Sequence, residues 1–137
     1  MRIEFAENEW LDLELINRST DAGFCFCAKV SVKAGDFQGL GISEFDRIDA
    51  SAFSAEVETI QSTLRGEAQV GDNGLSSCSI HLQSKGTTGQ FVLKVAIASN
   101  DIQPYSSMQH EFVFYTSRLN DVCVPLASFF RVHESCR

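Results

Sequence analysis

In the run Trp10-Leu11-Asp12-Leu13-Glu14-Leu15 every second residue is a leucine, and the residues between them are acidic. Side chains two apart share a face only when the backbone is extended, because a helix would throw them to opposite sides. The run is therefore a half-buried strand, with Asp12 and Glu14 on its polar face. Phe24, Phe26, Ala28, Val30 and Val32 repeat the pattern against Cys25, Cys27, Lys29, Ser31 and Lys33. Asp21-Ala22-Gly23 supplies turn residues between the two, which predicts a hairpin. A shorter strand is expected over Phe37 to Phe45, where Gly35, Gly39 and Gly41 suggest a bend or bulge.

The period then changes. Phe53, Val57, Ile60 and Leu64 fall at i, i+4, i+7 and i+11, an apolar stripe of helical spacing. Asp49 or Ser51 is the expected N-cap, and Gly66 is expected to close the helix in the left-handed conformation. Alternation resumes afterwards. Ala68 and Val70 form a short strand, then Asp72-Asn73-Gly74 turns. Cys78, Ile80 and Leu82 form the next apolar face, and Lys85-Gly86-Thr87-Thr88-Gly89 turns again. Phe91, Leu93, Val95 and Ile97 form another, and a loop containing Pro104 leads to Phe112 and Phe114. Leu126, Phe129 and Phe130 suggest a short terminal helix with Pro125 in its first turn. These elements predict the α+β class, as one domain over residues 1–137. Its antiparallel sheet has about six to eight strands, with one main helix at about 50–65 and the short helix at the end. The sequence carries no internal repeat or linker.

Composition narrows the function. The chain of 137 residues has a formal net charge of -7 and a pI near 4.8, which disfavours nucleic acid or an anionic membrane as partner. No run approaches 20 apolar residues and the start lacks a signal-peptide stretch. Five cysteines, an odd number without a Cys-x-x-Cys motif, fit a reduced chain in the cytoplasm, as a monomer or weak dimer. Cys25 and Cys27 share a strand face, but zinc would need two further ligands and no second pair stands at zinc spacing. His81, His110 and His133 sit in no nucleophile elbow, phosphate loop or metalloprotease motif. The Asp12/Glu14 pair reads as a solvated strand face rather than an acid–base pair. No catalytic residue, metal or cofactor is expected.

The charge is unevenly placed. Residues 1–67 hold 13 acidic and 6 basic side chains, whereas residues 68–137 hold 5 of each. The surplus is densest at Asp36, Glu44, Asp46, Asp49, Glu56 and Glu58, opposed within that stretch only by Arg47. Such a block is either a solubility-promoting surface or a face that steers a basic partner into contact. The six carboxylates are the candidate partner-binding residues.

Three short segments, together with the order of elements, resemble the WapI kind of bacterial immunity protein. They are Gly35-Asp36-Phe37-Gln38-Gly39, Leu64-Arg65-Gly66-Glu67-Ala68, and Asn120-Asp121-Val122-Cys123-Val124-Pro125-Leu126. In the last, the family tends to read Asp-Gln-Thr where this chain has Asn120-Asp121-Val122; Asn120 keeps the capacity to cap a helix. The resemblance implies a small cytoplasmic partner of a polymorphic or contact-dependent toxin, typically a nuclease, neutralised by occlusion. It brings no catalytic residue with it. The alternatives are a small-molecule-binding or regulatory β-rich domain, and an enzyme whose site assembles only in space.

Overall fold

The computed structural model describes residues 1–17, 25–71, 78–98 and 107–132. Within them lie eight strands: β1 (Arg2–Ala6), β2 (Glu9–Asn17), β3 (Cys25–Ala34), β4 (Phe37–Asp46), β5 (Glu67–Val70), β6 (Cys78–Lys85), β7 (Gln90–Ala98) and β8 (Ser107–Tyr115). Helix α1 (Arg47–Thr63) follows β4, and a single 3-10 turn leads from β8 into α2 (Leu119–Val132). The fold is α+β. The one sheet expected from the sequence is instead two antiparallel sheets of four strands, ordered β1-β2-β3-β4 and β5-β6-β7-β8. Each sheet is a meander that ends in a helix, so the order of elements repeats where the sequence does not.

Most of the alternation is realised as expected; Leu15 is only partly buried, and Phe24 lies outside the described residues. Leu11, Leu13, Phe26, Ala28, Val30 and Val32 are buried on the inner face of the first sheet. Ala68, Val70, Ile80, Leu82, Phe91, Leu93, Val95, Phe112 and Phe114 are buried in the second. The expected turns at Asp21-Ala22-Gly23, Asp72-Asn73-Gly74 and around Pro104 lie outside the described residues.

β4 departs from expectation. It spans ten residues in unbroken register with β3, from Ala34↔Phe37 to Cys25↔Asp46. Gly39 and Gly41 therefore make neither bend nor bulge; they let the second sheet come close. A Cβ on Gly39 would lie 2.3 Å from Met108 Sδ, and one on Gly41 would lie 2.7 Å from Ile97 Cγ2 and 3.1 Å from Cys78 Sγ. Next along the inner row, the buried Ser43 hydroxyl accepts the Cys78 N–H at 3.2 Å. β8 meets the first sheet in sequence order: Met108 at β4, His110 near Glu9 of β2, and Phe112 stacked on Phe5 of β1 at 4.2 Å. It thus runs across the strands of the first sheet, as in orthogonal sheet packing.

The other end of the same inner face is closed by the helices. Phe26 and Phe45 meet Phe130 of α2 at 6.1 and 5.4 Å between ring centroids, and Phe53 of α1 meets it at 5.0 Å. Both sheets and both helices share one continuous apolar core. α1 and α2 run antiparallel, joined by Ser54 Oγ donating to the Ala127 carbonyl at 2.9 Å and Gln61 Nε2 donating to Asn120 Oδ1 at 3.0 Å.

The helix limits also differ from those expected. α1 begins earlier, because Asp46 is its N-cap and accepts from the Ile48 and Asp49 N–H groups at 2.7 and 3.3 Å. Asp49 and Ser51 lie inside the helix. The chain turns left-handed at Leu64 (φ 65°), two residues before the expected Gly66, and this swings Leu64 out of the stripe to 47% exposure. Phe53, Val57 and Ile60 are buried as expected. The last helix, expected to be short, has 14 residues, with Pro125 in its interior rather than in its first turn. Asn120 is within it, spent on Gln61 rather than on capping.

Ile60→Ala should cost about 2–5 kcal/mol through lost burial and a residual cavity. Leu64→Asn, suited to the left-handed conformation, should cost less than about 0.5 kcal/mol. Ser43→Ala should cost about 1–3 kcal/mol, because a buried N–H loses its acceptor. Gly41→Ala should cost a similar amount by overpacking against Ile97 and Cys78, about 1–3 kcal/mol. Denaturant midpoints measure all four. Equal losses for Ile60→Ala and Leu64→Asn would refute the assigned helix face.

Candidate functional site at the junction of β4 and α1

The six carboxylates do not form one cluster. Asp36 sits in the two-residue β3–β4 turn, a full strand length from Asp46, about 30 Å. Glu58 is turned toward α2 and forms an ion pair with Arg131. Asp49 and Glu56 are seven residues apart and so share one flank of α1, about 10 Å from each other along its axis. Glu44, Asp46 and Asp49 are the three brought together, at the end of β4 and the first turn of α1. Of these, Asp46 already serves the helix through its cap, where a carboxylate also suits the positive end of the helix dipole.

An apolar feature that the sequence reading missed lies beside them. The odd-numbered residues of β4 point inward, so Gln38, Leu40, Ile42, Glu44 and Asp46 form the outward row. Leu40 and Ile42 are 59% and 54% exposed there, and Ile48 in the first turn of α1 is 72% exposed. The sequence held a signal for this: Leu40 and Ile42 occupy the phase opposite to Phe45, with glycine at the inward positions between. Across the strand pair, Ile42 faces Lys29 and Leu40 faces Ser31. Lys29 Nζ is held by Glu14 at 3.0 Å and Arg2 by Asp12 at 3.0 Å, so the Asp12/Glu14 pair is spent on cross-strand ion pairs. Arg2 also lies over the Trp10 ring at 4.0 Å.

The nucleophile-bearing groups are placed for packing. Cys27 pairs with Glu44 across β3 and β4, and partial burial, then the Glu44 charge, push its thiol up. Cys123 is fully buried in α2 and its thiol is pushed up to about 11. A raised thiol is a poor nucleophile at neutral pH. Each described imidazole faces a carboxylate, not a serine or thiol: His81 Nε2 is 3.1 Å from Glu67 Oε2, and His110 Nε2 is 3.8 Å from Glu9 Oε1. His133, Cys136 and the Cys25 side chain lie outside the described residues. Among the described residues no three of His, Cys, Asp and Glu converge on a metal position, and no helix is long and apolar enough to cross a membrane.

Hollows lie elsewhere, one of about 450 Å³ beside Arg2, Phe5, Trp10 and Arg118. A cleft of about 670 Å³ separates the β3–β4 turn from the start of β8, lined by Phe37, Gln38, Met108 and His110 among others. A shallower groove of about 440 Å³ runs between β2 and α2 beside Leu15, Pro125 and Phe129. Comparison of the chain with family models, curated proteins and solved structures found no match in any of the three.

The thiol environments set an order of reactivity. Alkylation of the native protein near pH 8 should label Cys27 before Cys78 and Cys123, as read by mass spectrometry of the peptides. Because Cys123 holds its proton to about 11 in the fold, the unfolded chain releases that proton first. Stability should therefore fall as pH rises from about 9 to 11, and less steeply in Cys123→Ala. Early labelling of Cys123 would contradict its placement.

Proposed function

We propose that the chain is a non-catalytic immunity-type protein that binds a basic protein toxin, such as a nuclease, and occludes its substrate surface inside the producing cell. The observation that carries this reading is the convergence of Glu44, Asp46 and Asp49 on two rigid elements, in a chain whose whole surplus of negative charge lies in its first half. A toxin that acts on nucleic acid presents cations to phosphates, and carboxylates on a preformed face can take the place of those phosphates. The WapI-like segments support the same reading. Leu64-Arg65-Gly66-Glu67-Ala68 spans the link from α1 into the first residues of β5, and Asn120 through Leu126 is the first half of α2, which closes the core. The segments are thus structural, in keeping with a family defined by scaffold rather than by a catalytic motif. A small-molecule-binding role is the second reading, favoured by the cleft between Phe37 and His110.

The direct test is co-expression with the protein encoded by the adjacent reading frame, scored as protection of growth. In vitro, Glu44→Gln with Asp49→Asn should slow association by about tenfold at low salt, with the difference shrinking as salt screens the charges. Asp46 is left intact so that α1 keeps its cap. Unchanged association rates would remove the carboxylates from the interface, and loss of neither toxicity nor free toxin on co-expression would remove the immunity role.

A further inference from the structure

We infer that the outer face of β4, centred on Leu40 and Ile42, is the anchoring half of a docking surface for a basic protein, and that the carboxylates beside it set the partner's approach. This rests on the binding role proposed above and names the surface that performs it.

Leu40 and Ile42 are two residues apart on one face, so their side chains stand about 7 Å from each other. Among the described residues β4 is the last strand of its sheet. Edge strands in proteins that stay separate are normally blunted with charge or proline, yet the middle of this one presents leucine and isoleucine to solvent. The second sheet and the aromatic closure by the helices reach this sheet through its inner side chains, Gly39, Gly41, Ser43, Phe26 and Phe45. The outer row is left as an apolar pair with Gln38 before it, Glu44 and Asp46 after it, and Lys29 alongside. An apolar centre with a polar rim is the usual anatomy of a binding patch.

Charge selects the occupant. A second copy would bring another surface with a net charge of -7 against this one, which opposes a contact between copies. A surface that offers arginine or lysine around an apolar contact meets both parts of the face. Asp36 and Glu58 stand apart from it, the first at the far end of β4 and the second on α1, paired with Arg131 of α2.

The test uses the full chain and, as probe, the protein encoded by the adjacent reading frame in an inactivated form. Leu40→Ser with Ile42→Thr should weaken binding by at least 100-fold, chiefly through faster dissociation, while the thermal midpoint stays within a few degrees of the parent. Ile42→Thr alone, which keeps strand propensity, should weaken it by about tenfold. The control is Val113→Thr with Tyr115→Ser on the outer face of β8, where exposure is similar at 51% and 57%, and its affinity should stay within threefold. If the parent binds and the Leu40/Ile42 variants bind equally well, this surface is wrong while the immunity reading stands. If the parent does not bind the probe, both fall. If sedimentation shows a parent dimer that Leu40→Ser with Ile42→Thr converts to monomer, the occupant is a second copy and the basic partner is refuted.

Discussion

Everything in this fold depends on how closely β4 approaches the second sheet. Its inward row reads Gly39, Gly41, Ser43 and Phe45, and each position makes a different junction. The two glycines leave room for Met108, Ile97 and Cys78. The Ser43 hydroxyl takes a backbone N–H of β6, so a polar group forced inside by the crossing is satisfied rather than stranded. Phe45 then meets Phe26 and Phe130, where the sheet gives way to the helices. Larger side chains at 39 and 41 would hold the sheets apart and open the core that they share. This demand also governs the outer row. With glycine at inward positions, the apolar residues of β4 between its two phenylalanines occur at Leu40 and Ile42, on the opposite side.

Burial on one face imposes period two, which made the strands after β1 legible in the sequence; β1 itself was not legible, Leu15 is only partly buried and Phe37 is exposed. The number of sheets was not legible. Four strands, a helix and four strands satisfy the same alternation whether they join edge to edge or cross as layers. The decision rests on Gly39 and Gly41, whose role is visible only once Met108 and Ile97 are opposite them. The helix limits slipped for local reasons. Asp46, Asp49 and Ser51 can all cap, and the one that wins is the one at which β4 ends. Gly66 does take a positive φ of 112°, but the helix has already ended at Leu64, whose N–H still reaches the Ile60 carbonyl at 2.7 Å. Pro125 suits a first turn, where its missing N–H is harmless, but packing of Val122, Leu126 and Phe130 carries the helix through it.

The acidic block illustrates why charge counted along a sequence overstates a site. Six carboxylates looked like one face, and the fold gives them separate tasks. Asp46 caps α1, Glu58 ties α1 to α2 through Arg131, and Asp36 marks a distant turn. What remains at the junction is smaller, but it adjoins an apolar patch that no charge count could reveal. Long-range attraction from the carboxylates governs how fast a basic partner arrives, whereas burial of Leu40 and Ile42 governs how long it stays. The two contributions are separable in kinetics because they act over different distances.

The most direct measurement is amide hydrogen exchange along the full chain, with and without the inactivated protein encoded by the adjacent reading frame. Docking as described predicts slowed exchange concentrated from Gln38 to Asp49, with β8 and the outer face of the second sheet unchanged. Protection centred instead on the cleft around Phe37, Met108 and His110, or confined to the second sheet, would contradict it.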